Sequence, residues 1–220
     1  MAITLAEEVV LLSLDGVSGA ARQRQSAGWA AAGGILLELV MAERVSVTGK
    51  YLELRSTAPT GERLLDGRIL MIESWLRGRS KRRVTDWLTK DHAKAVGAAL
   101  DRLGERGIVG SQVHKGLGVF PQRRYPEADA AVKRELRDRL GAVVLAGADP
   151  DGRTAGLIAL LHAAGLHRLA FPDRPSRLVA PRMGEIAAGQ WAGEGVRAAI
   201  RDMHAAVAAV TVVMAASTTV

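Results

Sequence analysis

The side chains able to do chemistry in this chain are few and scattered. Its five histidines stand at positions 92, 114, 162, 167 and 204; no HExxH motif joins any of them, and no ligand spacing puts two on one helical face beside a carboxylate. His162, inside an apolar run, reads as a hydrogen-bonded core or interface histidine. The chain has no cysteine, which excludes disulfides, thiolate metal sites and cysteine nucleophiles, and a reducing compartment fits. "VTGKY" lacks the upstream glycine and the hydroxyl residue of a phosphate-binding loop, and "DGVSG" lacks the spacing of a nucleophile elbow. "DPDG" reads better as a helix-start turn than as a calcium loop. With no acid, base and nucleophile brought together, the sequence predicts a protein that is not an enzyme and that needs neither metal nor cofactor.

Charge is the stronger signal. The net charge is +7 and the pI about 10.3, which points to an anionic partner, either nucleic acid or a negatively charged membrane surface. Two stretches concentrate it. "RGRSKRR", residues 77–83, has five cations and no apolar residue, so a solvated loop is expected. "KGLGVFPQRRYP", residues 115–126, sets Leu117, Val119 and Phe120 a few residues before Arg123 and Arg124. An apolar tip beside cations suits a bilayer surface, although Phe120 folded back into a core would give the same pattern.

The elements that must position these residues are mostly helical. Hydrophobic residues make up 48% of the 220 and aromatics only 4%, so the core is built of Ala, Leu and Val, a mixture that favours helix over sheet. A single core grows to about 250 residues before chains split, so one domain spanning residues 1–220 is expected. Thr4 with Glu7 is a capping box, and Leu5, Val9 and Leu12 carry a first helix to about Leu14. Gln25 to Met41 is a second helical run, and its "GGILLELVM" end predicts deep burial. "RVSV" and "YLELR" alternate as a hairpin, and "ERLLDGRILMIESWL" returns to helical spacing after the "STAPTG" turn.

Thr85 is a candidate cap for a short helix "DWLTK", and a longer helix follows from about His92 to Arg106. A second hairpin spans "IVGSQVHKG" and "LGVFPQRRYP". "EADAAVKRELRDRLGAVVLAG" and "DPDGRTAGLIALLHAAGL" are further helices, the second mostly buried, and two helical segments follow the "FPDRPSR" loop. Glu7 and Glu8 ahead of the first apolar run do not read as a signal peptide. "AAVAAVTVVMAA", residues 205–216, is too short and alanine-rich to span a bilayer and is expected as a helix buried all round. A cytoplasmic protein follows from these readings.

Several stretches together resemble the Golgi phosphoprotein 3 (GPP34) family, and specifically its bacterial members. "TLAEEVVLLSLD" looks like the family's opening helix, and "GGILLELVMAERVSV" like its apolar helix leading into a strand. "STAPTGERLLDG" is similar to its Ala-Pro-Thr-Gly turn followed by Leu-Leu-Asp. "VTDWL", "LGERGIV" and "DPDGRTAGLIALLHAAG" continue in the family's order, so the likeness covers nearly the whole chain. The resemblance implies a mainly α single globular domain of amphipathic helices around a buried hydrophobic helix, here with two short β-hairpins.

The resemblance also implies a peripheral membrane protein that binds phosphatidylinositol 4-phosphate through a basic surface. The second hairpin would enter the bilayer through Leu117, Val119 and Phe120, with Arg123 and Arg124 at the phosphates, and could serve self-association into a homo-oligomer. The head-group pocket of the eukaryotic members uses one tryptophan and three arginines. The matching positions here are Gln23, Ala32, Ala93 and Val96, none of which keeps the family residue. Arg22, Arg24, Lys90 and Lys94 are the nearest cations, and they form a displaced site if the packing brings their two helices together.

The competing reading is a winged helix, with "HAKAVGAALDRLGERGIV" as the recognition helix and the hairpin as the wing. Its reading end offers only His92 and Lys94 to bases, which leaves little specificity. A protein-binding adaptor without lipid contact is the third class, and its protein partner cannot be read from these residues.

Overall fold

The computed structural model describes residues 3–79, 82–114, 122–189 and 194–217. Nine helices and two small antiparallel sheets are found among them, so the chain is mainly α, as its composition and family likeness predict. The capping box forms as read: Thr4 Oγ1 accepts from the Glu7 N–H, Glu7 accepts from the Thr4 N–H, and α1 (Leu5–Ser13) follows. α2 (Arg24–Met41) is buried from Ala27 to Leu37 and again at Leu39. Its small residues explain how it can be so enclosed. A Cβ added to Gly34 would stand 3.0 Å from Leu5 Cβ, one added to Gly28 would stand 3.0 Å from the His92 carbonyl, and one added to Gly33 would stand 2.8 Å from both Leu160 and Val207. Four neighbouring helices therefore reach the main chain of α2, two with backbone or Cβ atoms and two with side-chain methyl groups, where larger side chains would hold them apart.

The expectation of one buried helix is too narrow. Every residue of α1 is buried, including Glu7 and Glu8, and α6 (Gly152–Ala163) is buried from Thr154 to Leu161. Burying two carboxylates requires partners. Arg106 lies 3.1 Å from Glu7, and Glu8 sits 2.9 Å from Arg139 and 3.4 Å from Arg153. Arg153 also pairs with Glu38 on α2, so α6 is tied by one guanidinium to both inner helices. Around this apolar centre pack the amphipathic α3 (Arg63–Leu76), α4 (Val84–Glu105), α5 (Ala130–Val144), α8 (Ser176–Ala188) and α9 (Glu194–Ser217), with the one-turn α7 (His167–Ala170) between α6 and α8.

The first sheet orders β1 (Val45–Thr48), β2 (Tyr51–Leu54) and β3 (Arg82–Arg83). β3 corrects the reading of residues 77–83 as a solvated loop. Arg83 pairs with Tyr51 and Arg82 with Leu52, and the Arg82 guanidinium lies 4.9 Å above Trp75, a cation–π contact of about 0.5–1 kcal/mol at such a site. The two helices expected from "DWLTK" and from His92 onward are one 22-residue helix, α4, whose first residue is Val84; Thr85 lies inside it. No glycine or proline stands between Thr85 and His92 to divide them.

The "STAPTGERLLDG" stretch is a lock. The Thr60 N–H and hydroxyl both donate to Asp66 Oδ1, at 2.6 and 2.7 Å, and Glu62 caps α3 while accepting from Arg102 and Arg106 at the far end of α4. The last helix departs from its reading as buried all round. Val207 and Val210 face inward, while Val212 and Val213 are 67% and 63% exposed. None of the helices, over the described residues, is long and apolar enough to cross a membrane.

Candidate functional site

The packing of α2 on α4 decides the fate of the basic residues. Trp29 and His92 meet at 5.9 Å between ring centroids, and His92 Nδ1 donates to the Thr89 carbonyl at 2.7 Å, which fixes the ring. Where the two helices diverge, a cleft of about 420 Å³ opens, lined by Arg24, Gln25, His92, Ala93, Val96 and Tyr125 among others. The cleft thus joins the first turn of α2, the middle of α4 and the residue after β5 (Gln122–Arg124), which pairs with β4 (Gln112–His114) in the second hairpin.

Of the sequence candidates, Arg24 lines this cleft, whereas Lys90 and Lys94 stand exposed one turn apart on α4 and are not part of its lining. Among the described residues these three form no ion pair. Arg22 is exposed but pairs with Asp15, so its charge is partly spent. Arg123 is exposed in β5 and Arg124 half-buried. Leu117, Val119 and Phe120, the expected apolar tip, lie outside the described residues. Of the four positions where the family pocket residues are replaced, Ala93 and Val96 line the cleft and Gln23 is exposed at its edge, whereas Ala32 is fully buried in α2.

The start of α2 has the electrostatics an anion needs. Gln23, its N-cap, is left-handed (φ 47°, ψ 43°) and makes no side-chain cap hydrogen bond. The first N–H groups of an 18-residue helix, with the positive end of its dipole, are therefore left to be satisfied from outside, beside a guanidinium. Sequence alone does not mark His92, Gln25 and Tyr125 as residues of one anion site, because nothing in the local pattern shows that the chain after the hairpin returns to the α2–α4 seam.

Other clefts are larger, two of them at about 810 and 880 Å³, but carboxylates stand among their cations. Lys133, Arg134, Arg137 and Arg174 line the first together with Glu127, Asp138 and Asp173, Lys133 being paired with Glu127 at 2.6 Å, and Arg106 and Arg139 line the second together with Glu8, Glu135 and Asp138. The α2–α4 cleft has no carboxylate in its lining, so it suits an anion better despite its size.

Three histidines meet elsewhere. His162 on α6 lies 3.0 Å (Nδ1 to Nε2) from His167 on α7 and stacks on His204 of α9 at 5.5 Å. His162 is thus hydrogen-bonded at a helix junction, as its apolar surroundings suggest, but the convergence of three imidazoles from distant positions was not legible. Burial pulls all three below the usual histidine range, with repulsion from His162 adding to the effect on His167 and His204. Among the described residues no group of three or more histidine or acidic side chains has an arrangement able to hold a metal.

No curated protein matches the chain. The family model of Golgi phosphoprotein 3 (GPP34) matches residues 5–203, from the first residue of α1 into α9, and takes in every element of the cleft. On that span, the chain belongs to the Golgi phosphoprotein 3 family.

Proposed function

We propose that this protein is a non-enzymatic, peripheral membrane-binding protein that takes anionic phospholipid head groups at the α2–α4 cleft. The observation that carries the reading is the meeting of a helix start without a side-chain cap with Arg24, in a cleft free of carboxylates, with the exposed Lys90 and Lys94 elsewhere on α4. Phosphatidylinositol 4-phosphate is the ligand that family membership suggests, and its monoester phosphate suits helix N–H donors and a guanidinium. Phosphatidylglycerol or cardiolipin would serve the same electrostatics. The hairpin ending in Arg123 and Arg124 would add its cations at the surface, each contributing about 1 kcal/mol near anionic lipid. The same hairpin could join two copies of the chain.

Sedimentation with vesicles of phosphatidylcholine alone, then with each anionic lipid added, tests the reading. Binding is expected only with anionic lipid, and it should weaken between low and physiological salt, where screening acts over about 8 Å. Arg24→Glu with Lys94→Glu should remove most of it. Failure of the unmodified protein to bind any of these vesicles would overturn the proposal. The winged-helix alternative is disfavoured by α4, since His92 lies eight residues inside a continuous helix and its neighbourhood is packed on α2.

A further inference from the structure

The loop after α1 presents an apolar residue that nothing in the fold needs. Val17 is 94% exposed, the highest exposure of any large hydrophobic side chain among the described residues. Its loop is nevertheless tightly built. Asp15 accepts from both the N–H and the hydroxyl of Ser18 at 2.8 Å, the Gly19 N–H donates to the Asp15 carbonyl at 2.9 Å, and the Asp15 N–H closes the turn onto Ala20 at 2.8 Å. The Ser18 N–H first, then the Ser18 hydroxyl and the charge of Arg22, hold the Asp15 carboxyl down to about 2.

The loop is fastened to the base of the second hairpin. The Tyr125 N–H donates to the Gly19 carbonyl at 2.9 Å, and Gly19 (φ 63°) lies so close that a Cβ there would stand 2.3 Å from the Pro126 nitrogen. On that hairpin Val113, 59% exposed, sits directly opposite the exposed Arg123. Arg22 and Arg24 follow the loop in sequence, both exposed. Two exposed valines on neighbouring, mutually bonded segments thus accompany the exposed Arg24 and Arg123, while Arg22 is held by Asp15. A purely apolar protein patch would match the valines and leave Arg24 and Arg123 unanswered, whereas Arg22 is already paired with Asp15. An anionic bilayer answers both, with acyl chains for the valines and phosphates for the guanidinium groups.

We infer that the 15–19 loop is a second bilayer-contacting element, with Val17 as its apolar tip and Arg24 at the phosphate level, acting beside the hairpin. This rests on the proposed membrane-surface function and adds an element to it. The rigid turn matters, because a side chain already held outward loses little freedom when it enters lipid.

Because the chain has no cysteine, Val17→Cys gives a single attachment point for an environment-sensitive fluorophore. Vesicles of phosphatidylcholine with phosphatidylglycerol should shift its emission to the blue, and lipids carrying a quencher near the head group should quench it. The same label at Leu178 on α8, which is 64% exposed, should stay unshifted. Val17→Asp should keep the melting temperature and weaken vesicle binding about tenfold, the cost of losing one small apolar side chain from lipid. A label that stays in water on vesicle-bound protein, with Val17→Asp binding as tightly as the unmodified chain, would overturn the inference and leave the membrane reading standing. An unmodified protein that binds no anionic vesicle would overturn both.

Discussion

Arg68 and Asp91 join α3 to α4 by a 2.9 Å ion pair, with side chains 10% and 0% exposed. Burial pushes the Asp91 carboxyl up against the downward pull of Arg68, and one Asp91 oxygen and one Arg68 nitrogen are left without a hydrogen bond. Such a pair contributes little beyond an apolar replacement, yet is costly to break. Arg68→Met should therefore lower stability by about 3–5 kcal/mol, and Arg68→Met with Asp91→Leu should recover most of that loss. Urea unfolding checks both; equal losses in the single and double variants would mean that shape, not charge, is what the site requires.

Among elements, α2 sets the spacing of the others through its glycines. Gly34 faces Leu5 Cβ at 3.0 Å and the Ala6 nitrogen at 3.2 Å, so Gly34→Val must push against main chain that cannot swing aside. A loss of about 1–3 kcal/mol is expected from that overpacking, and α1 should lose protection from hydrogen exchange first. Gly67, on the exposed side of α3, has nothing within 4 Å of an added Cβ. Gly67→Ala should therefore raise stability by about 0.5–1 kcal/mol through helix propensity alone. Thermal melts of the two variants should move in opposite directions, and a shared direction would refute this account of α2.

At the scale of the whole molecule, the three histidines tie α9 to α6 and α7. Their lowered folded-state values mean that the unfolded chain takes up protons first as pH falls. Stability from this cluster is therefore fully present above the ordinary histidine value of about 6.5 and is lost below it. His204→Phe keeps the stacking on His162 but removes one titrating group. Its melting temperature should fall less than that of the unmodified protein between pH 7 and pH 5, and parallel slopes would show that the cluster does not contribute.

Much of this protein is written locally. The Thr4–Glu7 capping box, the β1–β2 hairpin and the runs of α2, α5 and α6 depend on neighbours within a few residues, so spacing and turn chemistry are enough to place them. The excess of cations is likewise a property of composition, and it alone directs attention to an anionic partner. Tertiary structure decided the rest, because it depends on contacts between residues far apart in the chain. Only packing turned Arg82 and Arg83 into a strand, since the partner that recruits them is the edge of β2. Only packing buried Glu7 and Glu8, because their arginines come from residues 106, 139 and 153. The cleft is the clearest case. Arg24, His92 and Tyr125 are separated by 68 and 33 residues of chain, and their meeting depends on glycine contacts along α2 that no local pattern contains.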